Sequence, residues 1–272
     1  MNRPAIIALD LDGTLLTTDK RLSERNAAAL RAAADRGIFI VPATGRIFRG
    51  LPKAILDLPC LKYAILSNGA SVYDVCNDAV LYRAEIPVER AVAIMSWLDG
   101  QPVIYDCYMD GRGWISESMW AQIDRYAPNP IVVDYMRSIR TPVPELKAFL
   151  REQGRAIQKI QAFCTDDATQ AYLLRNLPFD GLAVSSSVPR NVEINREDAN
   201  KGAALLALAG HLHIPREQVM AFGDGLNDLS MIRSAGVGVA MGNAVEEIRR
   251  AADIVTTGND EDGVAAIIEA FL

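Results

Sequence analysis

Histidine is nearly missing from this chain, with two residues in 272, and the four cysteines are too widely spaced for a Cys-x-x-Cys pair. A phosphohistidine mechanism, a zinc centre and a disulfide framework therefore have little support, and Cys60, Cys76, Cys107 and Cys164 are expected to be reduced, mostly buried thiols. His211 and His213 stand two apart, so they share no helix face and read as helix-end residues. Positive charge is also short: 28 Lys and Arg against 34 Asp and Glu leave a net charge of −6, which opposes broad nucleic-acid binding. No segment reaches the ~20 uninterrupted apolar residues of a membrane span. Asp10 and Asp12 interrupt the one early apolar stretch, so a cytosolic location is expected. There is no internal repeat, low-complexity tract or charge block.

What remains is a globular chain, half hydrophobic, with length for about two domains. Two acidic motifs near its ends stand out, Asp10-Leu11-Asp12-Gly13-Thr14 and Gly223-Asp224-Gly225-Leu226-Asn227-Asp228. Each follows a short apolar run that reads as a buried strand, Ala5 to Leu9 and Val219 to Phe222. Ligands of open parallel sheets bind at the carboxyl ends of the strands, so the four carboxylates are expected at one site. A like-charge pair at 4 Å costs roughly 4 kcal/mol at an effective dielectric of about 20, more than one lysine offsets. Carboxylate and water are hard ligands, which points to Mg²⁺.

Ser23 reads as the N-cap of a helix carrying Ala27, Leu30, Ala33 and Ala34, with Gly37 as its stop. The strands Ile38 to Val41 and Tyr63 to Leu66 follow, ending in Pro42-Ala43-Thr44-Gly45-Arg46 and Ser67-Asn68-Gly69. Strand, helix, strand at this spacing is the crossover unit of a parallel sheet. From about Glu85 the texture changes to helix Val88 to Leu98, strand-like Val103 to Tyr105, Trp114-Ile115 and Ala156 to Phe163, and a helix near Asp167 to Leu177. Leu182 to Val184 and Val192 to Ile194 read as a hairpin across Ser185 to Asn191. The first pattern then resumes with a helix from Lys201, the strand before Asp224, and short strands at Val237 to Ala240 and Ile254-Val255. Between the last two, Asn243 is expected to cap a helix with Glu246 at the capping-box position. The fold class expected is α/β: a Rossmann-like core of residues 1–83 and 188–272, with a parallel sheet covered by helices on both faces, and an inserted α+β domain at 84–187.

Asp10, at a strand end, can attack phosphorus and form an aspartyl-phosphate. Asp12, two residues on, falls beside the leaving oxygen and can serve as general acid and then base, which calls for a pKa well above the ordinary value of about 3.9. Gly13 allows the turn and Thr14 can fix it by hydrogen bonds. Lys201 opens a helix, where a cation opposes the macrodipole, a placement that makes sense if its amine neutralises phosphate.

With these motifs, and with Asn200-Lys201-Gly202, Met241-Gly242-Asn243-Ala244 and Asp262-Gly263-Val264-Ala265, the chain resembles the haloacid dehalogenase superfamily, Cof-type branch, with a type IIB cap. The resemblance implies that Asp10 is the nucleophile and a Mg²⁺ ligand, and that Asp12 is the acid/base with its carbonyl on the metal. It makes Asp224 the third ligand, with Asp228 behind the metal site. It assigns phosphoryl contacts to Leu11, Thr44, Gly45, Lys201 and Asn227. Arg46 and Asn68 are candidates for reaching the substrate, and Arg49 has a weaker claim. The inserted cap is expected to close over the site and meet the non-phosphate part of the substrate. Tyr105, Tyr108, Trp114, Trp120 and Tyr126 are read mainly as its own core. Pro42 departs from the family pattern and is expected to perturb the sheet ladder locally, with Thr44 still presented.

The function expected is a Mg²⁺-dependent phosphatase for small phosphorylated metabolites, with no nucleic-acid, membrane or obligate protein partner. A phosphomannomutase-like phosphomutase is the alternative, and a phosphoacceptor signalling module a distant one.

Overall fold

Ile6, Ile7, Ala8 and Leu9 are all buried, as a strand covered on both faces requires. The computed structural model describes residues 3–127, 129–186 and 189–272. Its strands in chain order are β1 (Ile6–Leu9), β2 (Phe39–Pro42), β3 (Tyr63–Leu66), β4 (Ser71–Asp74), β5 (Ala79–Arg83), β6 (Val103–Met109), β7 (Arg112–Ser116), β8 (Arg140–Val143), β9 (Lys159–Cys164), β10 (Leu182–Ser185), β11 (Asn191–Arg196), β12 (Val219–Gly223), β13 (Val237–Ala240) and β14 (Ile254–Val255). Two compact units form, Met1–Arg83 with Asn200–Leu272, and Ala84–Ala199.

In the first unit, five parallel strands run in the order β14-β13-β12-β1-β2. Alternate residues serve opposite faces. Ile7, Leu9, Met220 and Phe222 pack with Leu30 of helix Glu24–Asp35 and with Val264 and Ile268 of helix Gly263–Phe271. Ile6, Ala8, Val219 and Ala221 pack with Leu205 and Leu208 of helix Lys201–His211 and Met231 of helix Leu229–Ser234. The Ser23 side chain caps the first of these helices by accepting from the Asn26 amide.

The third strand differs from expectation. β3 belongs to an antiparallel sheet, β3-β4-β5, and meets the parallel sheet through the isolated bridges Ile40–Leu61 and Ala43–Ile65. Pro42 lies between them and has no N–H to give to a continuous ladder. Hydrogen bonding resumes past it, with the Thr44 amide donating to the Ile65 carbonyl at 2.9 Å.

The second unit carries a mixed sheet, β10-β11-β9-β6-β7-β8, in which β7 and β8 are parallel and the other pairs antiparallel. Tyr105, Tyr108 and Tyr126 are buried, and Trp114 and Trp120 half-buried. The expected boundary at Ser187 lies outside the described residues. The unit runs on to Ala199 because β11 pairs with β9 as well as β10, which ties it to this sheet.

One smaller expectation also changes. Asn243 caps no helix: the helix Glu246–Ala251 has Val245 at its N-cap, and Asn243 is engaged elsewhere. Of the four free cysteines, Cys107 and Cys164 are buried, Cys60 is half-buried and Cys76 exposed. His211 ends its helix and His213 follows it with φ 55°, in the turn before Pro215. Among the described residues no helix is long and apolar enough to cross a membrane.

Candidate active site

The register of β1 on β12 pairs Leu9 with Phe222, and the Asp10 amide continues the ladder to the Phe222 carbonyl at 3.1 Å. Both acidic motifs therefore leave the sheet side by side at its carboxyl edge. Carboxylate oxygens of Asp10, Asp224 and Asp228 lie within 4.8 Å of one another. Fully buried Lys201, first residue of its helix, donates to Asp10 Oδ1 and to Asp228 Oδ1 at 2.6 Å each. The other oxygen of Asp228 accepts from the amides of Asp224 (2.9 Å) and Gly225 (3.0 Å), so its carboxylate is fully engaged.

One ammonium faces three carboxylates, and the electrostatics record the excess. Burial pushes Asp10 up to about 8; Lys201 pulls it down, and Asp228 and Asp224 add to the rise. Burial and the nearby Asp228 likewise carry Asp224 to about 6, against a 2.7 Å hydrogen bond from Thr14 Oγ1 to its Oδ1. Burial alone would lower Lys201, but Asp10 and Asp228 hold it above its ordinary range. An all-oxygen donor set with surplus negative charge fits a hard divalent cation.

Asp12 stands apart from this cluster. Arg46 grips it with two hydrogen bonds, Nε to Oδ2 and Nη2 to Oδ1, each 2.9 Å, and Lys20 Nζ lies 2.8 Å from Oδ1. The expected upward shift is reversed: burial would raise Asp12, but Arg46 and Lys20 outweigh it and bring the group to about 2. Lys20 was not singled out from the sequence. It sits at φ 61° in a tight turn, and nothing local distinguishes it from a surface lysine.

The remaining candidates sort by burial. Leu11 and Thr44 are buried, and the Thr44 hydroxyl accepts from the Arg46 amide at 3.2 Å. Ser67, Asn68 and Gly69 adopt left-handed φ values of 51°, 61° and 94°, turning the chain sharply after β3. A Cβ on Gly45 would sit 2.8 Å from Asn68 Oδ1, so the missing side chain lets Asn68 pack against the Thr44-Gly45 turn. Arg46 is half-buried, while Arg49 and Asn227 are exposed, Asn227 in the short helix Leu226–Asp228.

Gly13 is needed twice over, for its φ of +92° and because a Cβ there would lie 2.5 Å from Asp224 Oδ2. Gly13→Ala is therefore expected to displace Asp224 and lower kcat by about 100-fold with the fold retained. Steady-state kinetics beside circular dichroism check this; a loss under about threefold would show that Asp224 tolerates the intrusion.

The family pattern of haloacid dehalogenase-like hydrolases matches residues 7–268. The phosphatase YwpJ of Bacillus subtilis is 33% identical, with 98% of this chain and 99% of that protein covered. The 5-amino-6-(5-phospho-D-ribitylamino)uracil phosphatase YcsE of the same organism is 31% identical, covering 98% and 95%. Among solved structures, a sugar phosphatase of haloacid dehalogenase subclass IIB superposes with a TM-score of 0.79 at 25% identity, over 98% of each chain.

Proposed function

The chain belongs to the haloacid dehalogenase-like hydrolases, in the Cof-type branch with a type IIB cap, and on that premise we propose a Mg²⁺-dependent phosphatase acting through an aspartyl-phosphate on Asp10. Its substrates are small phosphate monoesters, sugar phosphates or similar metabolites. The relatives named for a phosphorylated ribityl compound and for sugar phosphates support this class. The observation that carries the reading is the Lys201 bridge between Asp10 and Asp228 beside Asp224, three carboxylates sharing one buried cation.

Asp10, Asp224 and the Asp12 carbonyl would hold Mg²⁺, with Asp228 behind them because both of its oxygens are already engaged. When bound, the ion supplies the positive charge that phosphoryl oxygens and clustered carboxylates require. Lys201, Thr44, Asn227 and the amides of Leu11 and Gly45 orient those oxygens. Asp10 attacks phosphorus, the bond to the substrate oxygen breaks, and Asp12 delivers the proton to the departing alcohol. Asp12 then takes a proton from the water that attacks the aspartyl-phosphate, releasing phosphate and restoring Asp10.

Arg46 and Lys20 hold Asp12 ionised in the free protein, so the acid role demands their release. An incoming phosphoryl group competes for both cations, burial then raises the carboxyl they leave behind, and Asp12 takes from solvent water the proton that it delivers to the departing oxygen. Arg46, with Asn68, thereby meets the substrate.

Phosphate release from sugar phosphates, ribityl phosphates, pyridoxal phosphate, flavin mononucleotide and nucleotides, with Mg²⁺ and with chelator, tests the proposal. Metal-dependent release from at least one small monoester is expected. Release undiminished by chelator would overturn the metal dependence, and silence across the panel would overturn the substrate class.

A further inference from the structure

Two segments of the chain have no task in this mechanism, Met241-Gly242-Asn243-Ala244 and the stretch ending in Asp262-Gly263-Val264-Ala265. Both reach back to the turn that follows Asp10. Asn243 Nδ2 donates to the Gly13 carbonyl at 2.8 Å, and its Oδ1 accepts the Asn259 amide at 3.0 Å. Asn259 Nδ2 in turn donates to the Leu16 carbonyl at 3.0 Å. Just beyond, Asp260 accepts from both the amide (2.8 Å) and the hydroxyl (2.7 Å) of Thr18. From within the first helix, buried Asn26 donates to the Leu15 carbonyl at 3.3 Å and accepts the Ala265 amide at 2.9 Å.

The turn's own bonds explain why these contacts fall on carbonyls. Leu15 and Leu16 send their amides inward to Asp10 and Leu11, and because the C=O and N–H of one peptide unit point oppositely, the Leu15 carbonyl is turned away from Leu11. The Leu15 and Leu16 carbonyls are withdrawn from water and need partners, which Asn26 and Asn259 supply, while Asn243 reaches the Gly13 carbonyl at the surface. The same segment also holds the second acidic motif, since the Met241 and Val245 amides donate to the carbonyls of Gly223 (3.1 Å) and Asp224 (3.0 Å). Its glycines permit the close approach: a Cβ on Gly242 would lie 2.9 Å from the Gly258 nitrogen, and one on Gly263 2.2 Å from the Thr257 oxygen.

We infer that Asn243 and Asn259 are positioning residues, which hold the turn of residues 13–16, and with it Asp12 and Thr14, in register with Asp224. Thr14 is the visible link, because its hydroxyl orients Asp224 across 210 residues of sequence. Neither asparagine touches the carboxylate cluster; each acts through the turn's backbone. The inference rests on the proposed phosphatase reading for its kinetic consequence but not for its structural one.

Asn243→Ala and Asn259→Ala are tested against Val219→Ala, which trims a buried side chain at the end of β12 away from the site. Two quantities are read: kcat and KM for a monoester that the unmodified protein hydrolyses, and hydrogen exchange of residues 11–18 in chelator. Both asparagine variants are expected to lose about 10- to 100-fold in kcat with KM little changed, and to exchange faster in 11–18 by about tenfold. Val219→Ala is expected to melt earlier while kcat and exchange in 11–18 hold. Asn243 is exposed, so its loss removes little buried surface and the variant is expected to fold.

Unchanged kcat and unchanged exchange in the asparagine variants would overturn the inference. So would losses that merely track melting temperature as in Val219→Ala. If the unmodified protein releases no phosphate from any ester, the phosphatase reading fails by itself. Exchange in 11–18 then decides the positioning role alone.

Discussion

Asp10→Asn is expected to cut phosphate release by about 10,000-fold or more, because the proposed mechanism has this carboxylate bond to phosphorus. The fold is expected to survive, and in chelator to gain stability at alkaline pH. The sign follows from the shift. Asp10 moves from an ordinary value of 3.8 to about 8 on folding, through burial and its acidic neighbours against the pull of Lys201. A carboxyl raised in this way costs the folded state nothing below the unfolded value. The penalty grows between about pH 4 and pH 8 and is complete above. Asparagine carries no such penalty, and Lys201 keeps Asp228 as its partner. Thermal melts of both chelated proteins at about pH 5.5 and pH 8.5 check this, with the gap expected to favour the variant only at the higher pH. A variant that melts well below the parent at the alkaline pH would contradict the electrostatic account. Turnover above about one part in a hundred would remove Asp10 from the nucleophile's role.

The strands that carry the site were legible because their burial is uniform. β1 and β12 are covered on both faces, so each appears as an unbroken apolar run ending in an acidic turn. The helix Glu24–Asp35 was legible from its Ser23 cap, and Lys201 from a charge placed where a helix does not favour it. What escaped depends on partners remote in sequence. Pairing of β11 with β9 moved the edge of the second unit to Ala199, and no residue near Ser187 announces that. Asp12 in isolation reads as a shielded acid, whereas Arg46, 34 residues later, and Lys20 on a separate turn make it a strongly ionised carboxylate. Asn243 has the spacing of a capping-box residue, yet its side chain bonds to Gly13, 230 residues away.

Removal of Lys201 should have the largest effect on stability. Lys201→Met leaves Asp10 and Asp228 buried without the cation that binds both at 2.6 Å, whereas methionine nearly conserves the volume. Breaking one side of a buried ion pair costs about 3–5 kcal/mol, and for a chain of this size that corresponds to a melting temperature roughly 10 °C lower. The loss is expected to depend on pH. Without its ammonium Asp10 shifts still further upward, so at about pH 5.5 it is protonated at little cost, while the penalty against the unfolded chain is still growing at about pH 8.5. The Mg²⁺ proposed for this site offers a second route to neutrality, and a ligand at 100 times its dissociation constant returns about 2.7 kcal/mol. The deficit should therefore be largest in chelator at alkaline pH and smallest with Mg²⁺ at acidic pH, with kcat lower by about 1,000-fold throughout for want of the phosphoryl contact proposed for Lys201. Equal melting temperatures for parent and variant in alkaline chelator would mean that the carboxylates share their charge in some other way. A deficit that Mg²⁺ leaves untouched would mean that Lys201 and a bound cation do not answer the same negative charge.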